Sequence, residues 1–309
     1  MSQTTEHDFP SLDRRQLLSQ LLHIMPSDSI LHHEEDLRPY ECDGLSAYRV
    51  MPLMVVLPDS IEQIQSILRL CNAIDLPVIA RGAGTGLSGG ALPYKQGLLL
   101  SLARLNRIIE IDAPLRLAHV QPGVRNLAIS QAVNHLGLYY APDPSSQIAC
   151  TIGGNVAENS GGVHSLKYGL TLHNIQQIKI VTIEGDLITI GGHGLDSPGY
   201  DLLALMSGSE GMLGVIVEVT VKLLAKPECV QVLLAAFDNV VKAGTAVANI
   251  IAAGIIPAGL EMMDQLAIRA AEDFIHAGYP TDAKAILLCE LDGSQDEVAT
   301  HMQAVHDIL

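Results

Sequence analysis

The stretch ARGAGTGLSGGA, residues 80–91, contains five glycines among twelve residues and follows the apolar run of residues 76–80. Glycine loses more conformational entropy on folding than any other residue. A chain therefore accepts five of them in one loop only where the backbone must turn tightly or approach something closely. Successive free backbone amides in such a loop can form a concave anion site, and phosphate is a common occupant. We expect a fold in which a strand ends at this loop.

The residues before the loop predict a β-α-β unit. Residues 53–58 have the apolar pattern of a strand, and Asp59 or Ser60 is placed to cap a helix that continues to about Ala73. The apolar run of residues 76–80 is then the second strand. Before this unit, residues 11–24 are expected to form an amphipathic helix. After it, strands are expected at 98–102, 107–111 and 117–121, a helix at 124–136 that ends at Gly137, a hairpin of 175–184 and 187–191 around Gly185-Asp186, and a strand at 213–224.

From Cys229 onward the sequence predicts a second, smaller layered domain, because strand and helix patterns alternate three times. The expected elements are a strand from Cys229, a helix over 238–254, a strand over 260–264, a helix over 264–276, a strand over 284–293 and a helix over 295–309. So few elements would leave a sheet edge uncovered, which folded proteins normally avoid. We therefore expect this domain to be incomplete.

Three interpretations of the glycine loop follow from its sequence, of which the first is a Rossmann dinucleotide site. Gly84 to Gly89 fits G-x-G-x-x-G, but Pro93 and Gly97 leave no room for the helix that a Rossmann site needs, so that interpretation is rejected. A P-loop is also rejected because no lysine follows the last glycine. The second interpretation is a tight surface turn, but such a turn needs only one or two glycines, so the five glycines of this loop disfavour it. The third interpretation is an anion site without a helix, in which Arg81 either offers charge or pairs with a carboxylate.

Two further glycine-rich segments suggest additional points of close approach to a large cofactor. Residues 141–169 contain the pairs Gly153-Gly154 and Gly161-Gly162 among small residues and amides, a composition that can lie flat against a planar ring. Residues 207–219 contain three spaced glycines that lead directly into a strand.

The three segments together resemble the FAD-binding domain of the vanillyl-alcohol oxidase superfamily, the PCMH-type flavoproteins. They are most similar to the branch that contains the FAD subunits of bacterial glycolate oxidase and the D-lactate and D-2-hydroxyglutarate dehydrogenases. The resemblance extends from YECDGLSAYR, which begins at Tyr40, to the end of the chain. It implies an α+β fold with a helical or irregular segment at 1–52, a PCMH-type two-subdomain FAD-binding domain at 53–228 and an incomplete α+β substrate (cap) domain, a partial FAD-linked oxidase C-terminal domain, at 229–309.

The resemblance also implies which residues hold the cofactor, a non-covalently bound FAD. The first loop would bind the pyrophosphate, through Arg81, Gly82, Ala83, Gly84, Thr85, Gly86, Ser88, Gly89 and Gly90. The second segment would follow the isoalloxazine and ribityl chain, through Pro142, Asp143, Ser145, Cys150, Thr151, Gly153, Gly154, Ala157, Ser160 and Gly161. The third would lie near the adenosine, through Glu210, Gly211 and Ile216. His164 is interpreted as a polar wall residue or a packed histidine, not as a flavin attachment site.

The activity implied by the resemblance is oxidation of a small 2-hydroxy acid, glycolate to glyoxylate or D-lactate. Electrons would pass to a second flavin-type subunit and an iron–sulfur subunit, then to a membrane acceptor. The family's divalent-metal motifs, which resemble HAGDGNxH and GEHGIG, do not occur in the sequence, so neither a catalytic base nor a metal ligand is assigned. The alternative is an FAD-binding chain that is catalytically incomplete, or an electron-transfer module. A sugar or cell-wall-precursor oxidoreductase is disfavoured by the segments AENSGG and YECDGLSAY.

Composition limits the environment and partners. A formal net charge of −16 disfavours nucleic acid and anionic lipid. Five widely spaced cysteines without a C-x-x-C indicate free thiols in a reducing compartment. No apolar signal core or stretch of roughly 18 apolar residues occurs. We expect a cytoplasmic protein, held at the inner membrane only through partner subunits. The run HHEED, residues 32–36, carries metal-type side chains but is expected to be a solvated loop.

Overall fold

The computed structural model describes residues 13–192, 194 and 199–309. It has three main sheets, of four, five and three strands, which follow one another along the chain. The described cysteines are all free, as predicted. Within the described part of the chain, no helix is both long enough and apolar enough to cross a bilayer.

The first sheet has the strand order β1-β2-β4-β3, so the strand that comes last in sequence, β4, lies between β2 and β3. β2, β4 and β3 are parallel, and β1 is antiparallel to β2. This confirms the predicted β-α-β unit, with one strand inserted between its two strands. The elements are α1 (Arg14–Leu22), β1 (Ile30–Leu31), α2 (Glu34–Leu37), β2 (Met54–Val56), α3 (Ile61–Ala73), β3 (Val78–Arg81) and β4 (Leu98–Ser101).

The caps of the first helices follow from local side chains. Ser60 caps α3, with its hydroxyl accepting a hydrogen bond from the Gln63 amide at 3.3 Å. Asp13 caps α1, so the helix begins later than predicted. The buried face of α3 packs on the first sheet around Ile64, Ile67 and Met54. This packing fixes the sheet edge from which the glycine loop leaves.

The second sheet is antiparallel throughout, in the order β5-β6-β10-β8-β9. The predicted hairpin of β8 and β9 is confirmed, but Val181 pairs with Leu187, so the turn is longer than the two residues expected. Strands β7 and β11 form a separate pair. The elements are β5 (Ile108–Asp112), β6 (Leu117–Val120), α4 (Asn126–Val133), β7 (Leu138–Tyr139), α5 (Ile152–Glu158), α6 (Ser165–Tyr168), β8 (Ile175–Val181), β9 (Leu187–Gly191), α7 (Leu202–Met206), β10 (Val215–Lys222) and β11 (Leu224–Ala225).

The third sheet, in the order β12-β14-β13, is antiparallel and carries its own core. Helices α8 and α10 cover one face, where Ile250 and Val305 pack against Leu287 and Leu291. The predicted alternation of strands and helices is confirmed. The elements are β12 (Cys229–Phe237), α8 (Val240–Ala252), β13 (Gly259–Asp264), α9 (Gln265–Ile275), β14 (Ala285–Gly293) and α10 (Gln295–Ile308).

Candidate functional site

A cavity of about 450 Å³ lies where the three glycine-rich segments meet. Ala80 and Leu102, at the ends of β3 and β4, form one side, and Ile216 on β10 forms another. The site therefore lies between the first and second sheets. A neighbouring cavity of about 630 Å³ beside α3 shares Ala80, Gly211 and Gly214 with it.

All the predicted cofactor residues line this cavity except four. Gly89 lies in a turn in which its carbonyl accepts a hydrogen bond from the Leu92 amide at 3.0 Å. The carbonyl of Pro142 accepts a hydrogen bond from Asn126 at 3.0 Å, and the carboxylate of Asp143 contacts His164. Ser145 is also outside the lining, between Pro144 and Ser146, which are part of it.

The glycine loop connects β3 and β4 without a helix anywhere in its described residues, 82–97, which agrees with the rejection of a Rossmann site. Two of its glycines allow close packing beneath the loop. A Cβ on Gly82 would collide with Oγ1 of Thr151, and one on Gly84 would collide with the Arg81 guanidinium. Gly84 also has φ +68°, in the region that favours glycine.

Arg81 supports the loop from below. Its side chain is 8% exposed, and Nη1 donates hydrogen bonds to the carbonyl oxygens of Cys42, at 2.8 Å, and Ala91, at 3.3 Å. The guanidinium carbon lies 5.7 Å from the centre of the Tyr40 ring. Burial lowers the pKa of Arg81, opposed by the nearby Asp43. The arginine therefore binds backbone carbonyls and forms no ion pair with a carboxylate of the described residues, and it remains part of the cavity lining.

Thr151 carries an unsatisfied hydroxyl into the cavity wall. The residue is 7% exposed, and Oγ1 has no hydrogen-bond partner among the described residues. Thr151 lies at the N-cap position of α5, yet its side chain does not cap that helix. A buried hydroxyl without a partner is costly, so a polar atom of water or of a ligand would be stabilised at this point of the wall.

Two carboxylates lie at the opposite end of the loop. Glu158 accepts hydrogen bonds from the Ser88 hydroxyl at 2.9 and 3.0 Å. A Cβ on Gly90 would lie 2.9 Å from Oε1 of Glu158 and 3.1 Å from Oε2 of Glu210. Neither carboxylate forms an ion pair with any described residue. Glu210 has φ +53°, a strained conformation for a residue with a Cβ.

Sequence reasoning missed several residues of the cavity lining, of which Asn155 and Glu158 are the most informative. Both are on α5, a helix that was not expected within the second segment. The amide oxygen of Asn155 accepts a hydrogen bond from Asn126 at 3.1 Å, and its nitrogen lies 3.4 Å from the Cys150 sulfur. The available signal was helical spacing, because Thr151, Asn155 and Glu158 share one helix face.

His164 lies outside the lining and binds two carboxylates. Nδ1 is 2.6 Å from Asp143 Oδ2, and Nε2 is 3.1 Å from Glu290 Oε1. The hydrogen bond to Asp143 raises the pKa of His164 to about 9, assisted by Glu290 and opposed by burial. Of the two interpretations from sequence, the packed histidine is therefore supported and the wall residue is not.

The HHEED run contains a short helix, α2, rather than only a loop. The His32 and His33 rings lie 4.1 Å apart, and Glu34 pairs with Arg38 at 3.1 Å. No group of three or more metal-type side chains is positioned to hold an ion in the described ranges 13–192, 194 and 199–309.

Comparison with known families and proteins matches both halves of the chain. Residues 52–191 match the FAD binding domain, and residues 226–309 match the C-terminal domain of FAD linked oxidases. Glycolate oxidase subunit GlcD of Escherichia coli K12 is 63% identical over 97% of this chain and 60% of its own length. GlcD of Bacillus subtilis is 44% identical over 87% of this chain and 57% of its own.

More distant matches extend the comparison. The D-lactate dehydrogenase of Anaerostipes hadrus is 34% identical over 82% of this chain and 55% of its own. Alkyldihydroxyacetonephosphate synthase has the same fold, with a TM-score of 0.82 at 21% identity over 98% of this chain and 61% of its own. p-Cresol methylhydroxylase has a TM-score of 0.78 at 19% identity over 95% of this chain and 63% of its own. The chain spans 55–60% of the length of these curated relatives.

Proposed function

Because this chain belongs to the family of FAD-linked oxidases, we propose that its cavity binds FAD non-covalently and serves the oxidation of a small 2-hydroxy acid. The observation that carries the proposal is the convergence of three glycine-rich segments on one cavity with an unpartnered hydroxyl in its wall. The α+β fold with PCMH-type neighbours agrees with the expectation from sequence.

The cavity wall suits a dinucleotide in two respects. Glycines bring the backbone of residues 82–90 close to the space between the sheets, where a Cβ on Gly90 would be crowded by Glu158 and Glu210. Thr151 offers a hydroxyl that has no partner in the described chain and that a polar atom of a bound molecule would satisfy. We propose that the residues of the loop and of α5 that line the cavity hold the pyrophosphate and flavin. The cofactor-binding role of the other four residues remains a prediction, because none of them lines the cavity; they are Gly89, Pro142, Asp143 and Ser145.

FAD, when bound, supplies a two-electron acceptor for the hydride of the substrate α-carbon. The contribution of the protein is to hold the cofactor and to exclude water from it. Asn126 and Asn155 support this role, because their buried amides fix the wall at Pro142 and Cys150. No residue of the chain is assigned as the base that takes the hydroxyl proton.

We propose glycolate as the substrate, with D-lactate as the related alternative, because the compared proteins of these names are 63% and 34% identical to the chain. The partners proposed are a second flavin-type subunit and an iron–sulfur subunit, through which the protein would reach a membrane acceptor. We also propose a division into an N-terminal segment to residue 52, an FAD-binding domain to residue 228 and a substrate domain beyond it.

The test is the visible spectrum of the purified protein with FAD added and excess removed, followed by anaerobic glycolate. Flavin bands that remain with the protein are the expected result, and their bleaching on addition of glycolate would show that this chain completes the oxidation. Bands that remain but do not bleach would favour an FAD-binding chain without a complete substrate site, an alternative motivated by its 60% coverage of the relatives. Failure to retain FAD would overturn the proposal.

A further inference from the structure

His164 joins the cavity wall to the third sheet. On one side, Nδ1 contacts Asp143, which directly precedes the lining residue Pro144. On the other side, Nε2 contacts Glu290, in the central strand β14 of the third sheet. One imidazole therefore bridges a residue beside the cavity wall and a residue of the third sheet.

The contact with the wall is reinforced by the backbone. The amide of His164 donates a hydrogen bond to Asp143 Oδ1 at 3.3 Å. A Cβ on Gly162 would collide with the Asp143 carbonyl, so the segment around Asp143 and the segment around Gly162 are in contact at this glycine. Gly161 and Pro144, on these same segments, both line the cavity. Displacement of His164 would therefore disturb the wall itself.

A second set of polar contacts lies beside the first. Lys167 Nζ donates to the carboxylate of Asp292, and the Tyr168 hydroxyl donates to Asp292 Oδ2 at 2.5 Å. Asp292 is also on β14 and is buried. Val163 packs against Gly259, at the start of β13, where a Cβ would lie 2.8 Å from its side chain. The segment 163–168 is thus the principal polar link from the cavity wall to the third sheet.

The charges favour a protonated His164. Its ring contacts two carboxylates, Asp143 beside the wall and Glu290 on β14. The titratable groups next to these contacts are Tyr139, Lys167, Tyr168 and Asp292. One cation between two carboxylates satisfies both ring nitrogens as donors. A neutral ring could donate to only one of the two carboxylates and would leave the other without a donor.

We propose that His164 is a positioning residue that couples the wall of the cofactor cavity to the third sheet, so that a ligand bound at the wall stabilises the docking of that sheet. The identity of the ligand as FAD rests on the proposed function, whereas the coupling rests on the contacts of Asp143, His164 and Glu290. Linkage requires the effect to be reciprocal, because a docked sheet favours the wall conformation that the ligand needs.

The test is hydrogen exchange of the whole protein, with and without FAD, in the wild type, His164→Gln and a matched control, His119→Gln. His119 also contacts a carboxylate, Glu218, at 2.7 Å, but both lie within the second sheet. Without FAD, we expect His164→Gln to accelerate exchange at residues 163–168 and in β13 at least threefold, with no such change in the control. With FAD, we expect slower exchange at residues 144–161 in all three proteins and in β13 only where His164 is present.

Equal exchange at β13 in His164→Gln and the wild type would overturn the coupling, with or without FAD. If FAD protects no segment of any protein, the proposed function fails, and the comparison without FAD still decides the coupling. Should His164→Gln not fold, Glu290→Ala removes the same bridge from the other side and leaves the contact of His164 with Asp143. We then expect the same loss of protection in β13, and its absence would overturn the inference.

Discussion

The hydroxyl oxygen of Thr151 lies only 2.4 Å from the position that a Cβ on Gly82 would take. The glycine loop and the start of α5 can approach each other this closely only because residue 82 lacks a side chain. The same approach brings an unpartnered hydroxyl to the cavity wall. The packing of the loop depends on this pair of residues, and the proposed ligand contact involves the same pair, so substitutions can separate the two effects.

Thr151→Val is expected to weaken FAD binding without destabilising the free protein. Valine keeps the shape of threonine and removes an oxygen that has no partner in the described chain. The loss of one ligand hydrogen bond, about 1 kcal/mol, corresponds to a dissociation constant raised about fivefold. Titration of FAD, followed by flavin fluorescence, measures the affinity, and urea unfolding measures the stability. Thr151→Ser keeps the hydroxyl and serves as the control, and equal affinities in Val and Ser variants would contradict the assignment.

Gly84→Ala is expected to destabilise the protein more than Gly89→Ala. Both glycines have positive φ, so both substitutions introduce backbone strain of about 1 kcal/mol. Only the Cβ at residue 84 would also collide with the Arg81 guanidinium, because nothing lies within 4 Å of a Cβ at residue 89. We expect a total of about 3 kcal/mol for Gly84→Ala from urea unfolding. Equal losses would show that strain alone, and not support by Arg81, shapes the loop.

Glu158→Gln is expected to tighten FAD binding about two- to fivefold. The carboxylate binds Ser88 beside the glycines that are proposed to hold a pyrophosphate, and an amide keeps that hydrogen bond without the negative charge. Because Glu158 is exposed, the effect is small and should decrease as salt is raised. The exposed Glu228, outside the lining, provides the control. Weaker binding in Glu158→Gln would indicate instead that the carboxylate accepts a hydrogen bond from the ligand.

The stability of the wild type relative to His164→Gln is expected to fall between about pH 7 and pH 10. The folded-state pKa of His164, about 9, lies above the unfolded value of about 6.5. A raised pKa contributes stability that is fully present below about pH 6.5 and is lost as pH rises through about 9. Urea unfolding of both proteins at four pH values measures the difference. A constant difference across that range would mean that the bridge to Asp143 and Glu290 does not depend on the charge of His164.

The strands were predictable because their signals are local. Strands β2 and β10 lie within the ranges expected from their apolar pattern, and β3 extends one residue beyond its expected range, to Arg81. The order of strands was not predictable in the same way, since nothing in residues 98–101 says that β4 pairs with both β2 and β3. That pairing depends on contacts between distant parts of the chain.

The sequence predicted the glycines that line the cavity better than it predicted the side chains that line it. Gly153 and Gly154 have low helix propensity, which hid α5 and with it the helix face that carries Asn155 and Glu158. Tertiary packing overrides that propensity, because Ile152 and Val156 are buried in the second core. The contact of His164 with Glu290 joins residues 126 apart in sequence, and no local pattern indicates it.

The central position of β4 sets an order of assembly during synthesis. β3 pairs with no other strand of the described chain, so it has no partner until residues 98–101 have been made. The intervening sixteen residues, 82–97, must wait as an unanchored loop until that strand arrives and closes the parallel sheet. Chains emerge at about 5–20 residues per second, so β3 is unpaired for roughly a second or more. The cofactor cavity can take its final shape only after this step, and a nascent chain interrupted before β4 would have the glycines without the site.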